Sequence, residues 1–310
     1  MKRTKTILAI IAVAIIAGVS IFVACTKENS SLFITKSISD HLTPTPEFPD
    51  NLYDTVGAWH NMLLMPSYQN LVNNGQWDAS MAITFANQES ALHNFDTTYC
   101  RSWATSIRED WENIFLLEEM PEAFPTSINN YCSVSDNVAY ILDTLIQGVY
   151  KMANDDEETD YVPFKKRIMQ CEVTVMSTDY ITSSEKAILL SSMSVLRYSL
   201  FFWRERLDQD YPELQESDRP KKWVKYLCVG LADVAGGVIG GVSSGGLGAV
   251  TGAAAASNCA LAIAKEIEND SNQGNNNGGT GNGGDGDGNG NGNNGGNDDG
   301  GNPNPDGGGQ

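Results

Sequence analysis

The sequence predicts an all-α protein: an irregular helical bundle, then a Gly/Ala-rich helical hairpin, then a disordered tail. Three observations carry that prediction. Apolar residues recur at helical spacing through residues 51–225, and alternating strands and hairpin dipeptides are scarce there. Residues 226–264 hold nine glycines and a single charge, Asp233. Residues 269–310 hold six Asp, no Lys or Arg, and no hydrophobic residue.

The chain opens with Lys2, Arg3 and Lys5, then an uncharged run over residues 6–24, then Cys25. A charged start, an apolar stretch and a small residue before the break form an export signal, here residues 1–24. Val23 and Ala24 ahead of Cys25 make it resemble a bacterial lipoprotein signal, although Phe22 stands where an aliphatic residue is usual. The resemblance implies that Cys25 is acylated, with palmitate among its chains. Thr26-Lys27-Glu28-Asn29 is similar to the start of mature lipoproteins of the Bacteroidetes, which implies the cell envelope, an outer-membrane anchor and display at the cell surface. The alternative is an uncleaved signal anchor of about 18 apolar residues, near the lower limit for a span.

Removing the signal takes away three cations and no acids. The balance goes from −19 to −22, with 17 cations against 39 acids. Such a chain is a poor partner for nucleic acid, which needs clustered Lys and Arg.

Residues 25–50 read as a tether, because Pro44, Pro46 and Pro49 break any period. From 51 onward, Leu52, Val56, Trp59, Met62 and Leu63 fall near one helical face, and Pro66 is expected to stop that helix. Further periodic stretches cover about 78–94 and 101–119. The second carries Trp103, Ile107, Trp111, Ile114 and Phe115 and ends at Pro121. Ser133-x-x-Asp136 resembles a capping box ahead of Val138, Ile141, Leu142, Leu145 and Val149. The acidic run 155–160 reads as a turn. Residues 161–177 stay ambiguous, since Glu172–Met176 also suits a strand. Thr182-x-x-Glu185 opens the strongest helix, about 184–208.

In 226–264 the glycines fall four apart: Gly236/Gly240, Gly237/Gly241/Gly245 and Gly248/Gly252. Residues four apart share a helix face, and a face of small residues lets another helix approach closely. The pattern resembles the glycine zippers of membrane-inserting peptides and small bacteriocins, which implies self-association or membrane engagement. Each interior Gly costs about 0.8–1 kcal/mol relative to Ala, so nine oppose an isolated helix by about 8 kcal/mol. Close packing or a bilayer must offset that.

Ser243-Ser244-Gly245-Gly246 is the best turn, giving two arms of about 27 Å, close to a hydrocarbon core of about 30 Å. Three arrangements satisfy the pattern: a hairpin packed on the domain or on another copy, a hairpin in a bilayer, and a loose segment. Asp233 opposes the bilayer, at about 2.5–3.5 kcal/mol on insertion scales. Cys228 and Cys259 sit symmetrically about the turn and predict a disulfide, which would stabilise by about 3–4 kcal/mol. Residues 265–310 are expected to form the disordered tail.

No linear motif names a reaction, metal or cofactor. Gly241-x-Ser243-x-Gly245 matches a nucleophile elbow in letters, but His41, His60 and His93 all precede it, against the usual chain order. The sequence therefore predicts a lipid-anchored, non-catalytic envelope protein. It would act by contact through its glycine zipper, with the membrane and a second copy as partners. The alternative is an extracytoplasmic enzyme or ligand-binding protein whose site has no linear signature.

Overall fold

Three residues of left-over polarity inside apolar helix faces, His60, Arg197 and Asp233, set the way the helices meet. The computed structural model describes residues 38–39, 41–75, 77–95, 111–117, 121–155, 158–215, 218–244 and 247–276. All regular structure among the described residues is helical. The helices are α1 (Asp54–Asn74), α2 (Ala79–Leu92), α3 (Asp136–Asn154), α4 (Tyr161–Ser177), α5 (Ser183–Asp210), α6 (Arg219–Ser244) and α7 (Leu247–Asn276). Residues 111–116 are also helical and bury Trp111, Ile114 and Phe115. Cys25, Gly245, Trp103 and the tail beyond 276 lie outside the described residues.

Local chemistry fixes most boundaries. Asp78 caps α2 by accepting from the Ser80 and Met81 amides. Thr182 and Glu185 form a complete capping box at the start of α5. At α3 the cap is Ser135, which accepts from the Val138 amide, and not Ser133. Residues 161–177 are helix, which resolves the ambiguity there. Both faces of that segment are buried, so its β-branched residues carry no strand alternation.

Pro66 does not stop α1, which continues to Asn74. A proline inside a helix costs about 3 kcal/mol. Here Leu63 and Leu64 before it and Tyr68 and Leu71 after it are all buried, and that burial holds the helix through. The helix is also rotated from the expected face. Leu52, Trp59 and Met62 are exposed, while His60, Leu63, Leu64, Ser67 and Leu71 point inward.

The strap before α1 is not a free tether over its described part. Phe48 is fully buried with Ile38, Met169 and Val173. Lys165 Nζ reaches the carbonyls of His41 and Thr45, each at 2.7 Å, and those bonds tie the strap to α4.

α5 is the central helix and packs against α1, α4 and α6. α6 runs antiparallel to it and also packs on α3. From Arg219 to Val242, α6 is long and apolar enough to cross a membrane, yet 89% of its most apolar stretch is buried in the bundle. Of the three arrangements open to 226–264, the chain adopts the packed hairpin. It forms one compact unit with the helices before it, through Ser271. Ala249, Val250, Ala253 and Ala254 of α7 join Val56 and Leu63 of α1 in one apolar cluster. α7 also runs past Ala264 to Asn276, so residues 265–276 are helix rather than the start of the tail. Lys265 supports that extension by donating to the Tyr211 hydroxyl at 2.7 Å.

Candidate functional site

The candidate site is the polar interior around α5, together with the glycine contact beside it. A β-carbon built on Gly240 would strike the Gly248 carbonyl, and one on Gly236 or Gly252 would strike the backbone of the other. α6 and α7 therefore touch backbone to backbone along Gly236, Gly240, Gly248 and Gly252. Gly237 and Gly241 lie on the rim of this contact, where an added β-carbon would meet Ala249 atoms at 3.7 and 3.6 Å.

The predicted Cys228–Cys259 bridge is not formed, because Cys228 is a free, fully buried thiol. At about 100° per residue, Cys228 stands about 80° around α6 from the face of Gly236, so it lies to the side of the glycine seam, near Tyr150 of α3. Burial pushes its thiol up to about 12. Native protein should therefore resist alkylation at Cys228, and full alkylation should follow denaturation without any reductant. Mass mapping with and without denaturant checks this; a Cys228 peptide that needs reduction first would contradict the structure.

Directly behind the glycines lies Asp233, fully buried. Ser199 of α5 and Ser257 of α7 both donate to its Oδ2, the second at 2.8 Å. His60 of α1 places Nε2 3.3 Å from the same oxygen. Ser257 in turn accepts from the Trp203 indole at 2.9 Å. Four helices thus converge on one carboxylate.

The residue types are those of a hydrolase triad, but the order is wrong. A relay needs the histidine between serine and acid. Here both serines bond to the aspartate, and His60 Nδ1 lies 2.9 Å from Asn61 Oδ1. Ser243 stands in the last turn of α6, not at a strand-to-helix elbow. Among the described residues no group of three or more His, Cys, Asp and Glu could hold a metal. Asp233→Ala should cost about 2–4 kcal/mol, since it strands two buried hydroxyls and a histidine. Asp233→Asn keeps an acceptor and should cost visibly less. Thermal melts compare the two, and a neutral alanine variant would show that the cluster does not hold the helices.

A second cluster sits on the other side of α5. Arg197, fully buried, forks onto Glu172 through Nε at 2.9 and 3.1 Å and reaches Asp54 through Nη2 at 2.6 Å. Its Nη1 donates to the Pro46 carbonyl of the strap. Asn51 donates to Glu172 at 2.7 Å and to the Leu190 carbonyl at 3.0 Å. Burial works against charge on Arg197, but Glu172 and Asp54 outweigh it and hold the guanidinium above its ordinary pKa. Burial lifts Glu172 above the usual carboxylate range, against the pull of Arg197 and Asn51. Desolvation, with the Arg197 charge adding to it, draws the Lys165 ammonium down to about 8.

One open groove is polar, lined by Thr159, Asp160, Arg204, Asp208, Tyr211 and Arg219. Asp208 pairs with both arginines, at 2.6 and 2.5 Å, so neither groove cation is left without a counter-charge. No protein-family model, no curated protein and no solved structure matches this chain.

Sequence reasoning singled out the glycines, Asp233 and His60. It missed Arg197, Glu172 and Lys165. Residues 161–177 and 184–208 hold eleven charged residues, and nothing in their spacing marks these three as the buried ones.

Proposed function

We propose that this chain is a lipid-anchored cell-envelope protein that acts by contact and not by catalysis. Cys25 would carry the lipid at the outer membrane. The single observation behind the non-catalytic reading is that His60, Lys165, Glu172, Arg197 and Asp233 are all at 0% exposure. A substrate arriving from solvent has no access to groups placed in that way. The glycine zipper serves chiefly to seat α7 on α6 inside one chain, so contact runs through the outer surface of the bundle. Labelling cells with a palmitate analogue tests the anchor: label should enter the wild type and be lost in Cys25→Ala. Equal labelling of the two would end this reading.

A second reading is favoured by one observation, the span-like composition of buried α6. In it, the hairpin leaves the bundle and enters the bilayer. A β-carbon on Gly230 would lie 3.0 Å from Ser199 Oγ, a spacing that suits a disulfide. Oxidised Ser199→Cys/Gly230→Cys protein would hold α6 on α5. Dye release from vesicles that stops on oxidation and returns on reduction would support hairpin release. Release unaffected by the lock would remove it.

A further inference from the structure

The contact role leaves open which part of the outer surface is used and what it touches. We infer that the exposed face of α1, with the end of α2 beside it, is the surface that rests on the lipid bilayer. This rests on the anchoring reading and deepens it.

Charge makes the first argument. After Asp54, α1 carries no charged residue at all. Residues 52–95 hold no Lys or Arg and only three acids, Asp54, Asp78 and Glu89, in a chain of net charge −19. Most other faces of so acidic a protein would bring carboxylates against headgroups, with repulsion and desolvation to overcome. This face brings none from α1.

Exposed apolar side chains make the second. Leu52 is 87% exposed just before α1, and Trp59 and Met62 are each 39% exposed on the helix itself. Leu92, the last residue of α2, is 74% exposed. Phe95 packs its ring 6.1 Å from Trp59, which brings the end of α2 to the same place. Single exposed apolar residues are ordinary. Two on a helix without charge after its first residue, one of them a tryptophan, with Leu52 just before it and Leu92 beside it, have the composition of an interfacial surface.

Chain connectivity makes the third. The strap of residues 41–53 leads directly into α1. Between Cys25 and Ile38 lie twelve residues, a reach of at most about 45 Å at about 3.5 Å each. A lipid on Cys25 therefore holds α1, itself about 31 Å long, within reach of the membrane.

The test uses full-length lipidated protein in phosphatidylcholine vesicles containing brominated lipid, which quenches tryptophan at the interface. Trp77 is half-buried and Trp103 lies outside the described residues, so every protein compared, wild type at position 59 included, also carries Trp77→Phe and Trp103→Phe. Trp111, Trp203 and Trp223 are buried and contribute little to such quenching. Wild type should float with the vesicles and be quenched. Trp59→Phe should float equally and lose most of the quenching. Met62→Glu, which places a charge on the face, should float and show weaker quenching with unchanged helical content. If the wild type does not float, the anchoring reading fails and this inference with it. If it floats but Trp59→Phe is quenched as strongly as wild type, the anchor stands and the inference is overturned. A dimer that forms through Trp59 without lipid quenching would likewise overturn it, since the face would then belong to a second copy.

Discussion

Alanine at Gly240 should destabilise the protein by about 2–4 kcal/mol, while alanine one residue later, at Gly241, should stabilise it by about 0.5–1 kcal/mol. The opposite signs follow from one competition. Replacing a mid-helix glycine by alanine gains about 1 kcal/mol of helix propensity, whatever the neighbours. Space then decides the outcome. At Gly241 the new methyl meets Ala249 Cβ at 3.6 Å, an ordinary contact, so the gain survives. At Gly240 the methyl collides with the backbone of Gly248, which has no rotamer to change. α6 and α7 must then separate, and overpacking of that kind costs about 1–3 kcal/mol and sometimes more. Separation would also strain the Ser257–Asp233 bond, which spans the same two helices. Gly237→Ala should behave like Gly241→Ala, and Gly236→Ala like Gly240→Ala. Urea midpoints of the four variants make the comparison. Equal shifts at 240 and 241 would mean that the helices are not in backbone contact.

That contrast also marks how far the sequence could be read. Four-residue spacing showed that these glycines share helix faces, and the turn near 244 followed from Ser243-Ser244-Gly245-Gly246. Which row lies in the seam depends on the rotation of each helix, and spacing does not fix rotation. The same limit misplaced α1. Trp59 and Met62 form as good an apolar stripe as Leu63 and Leu71, but the buried side is the one whose polar residues find partners. His60 reaches Asp233, and Ser67 accepts from Asn258 Nδ2 at 2.7 Å. A lone charge in the 39 residues 226–264 does announce that a partner must exist. It cannot name a histidine from the first helix. Local signals fared better, because a capping box such as Thr182 with Glu185 is complete within four residues. Pro66 shows the converse, a strong local signal overridden by burial on both sides.

Arg197→Met should be the most damaging single side-chain substitution outside the glycine seam, at about 3–5 kcal/mol. Its cost comes less from the contacts removed than from what stays behind. Glu172 would remain fully buried, with Asn51 as its remaining neutral donor, and Asp54 would lose its bond to the guanidinium. A buried carboxylate without a counter-charge is among the dearest groups a core can hold. The strap should loosen as well, since Arg197 also donates to the Pro46 carbonyl. Proteolysis should then cut within residues 41–50 before the bundle unfolds, an event separable from global melting. Pairing the change with Glu172→Gln removes the stranded charge while keeping an acceptor for Asn51. The double variant should therefore recover a large part of the loss, with a coupling energy of about 2 kcal/mol in a full cycle. Additive losses would show that Arg197 and Glu172 act independently, and that a guanidinium shared between two carboxylates and a backbone carbonyl is not what fastens strap, α1, α4 and α5 together.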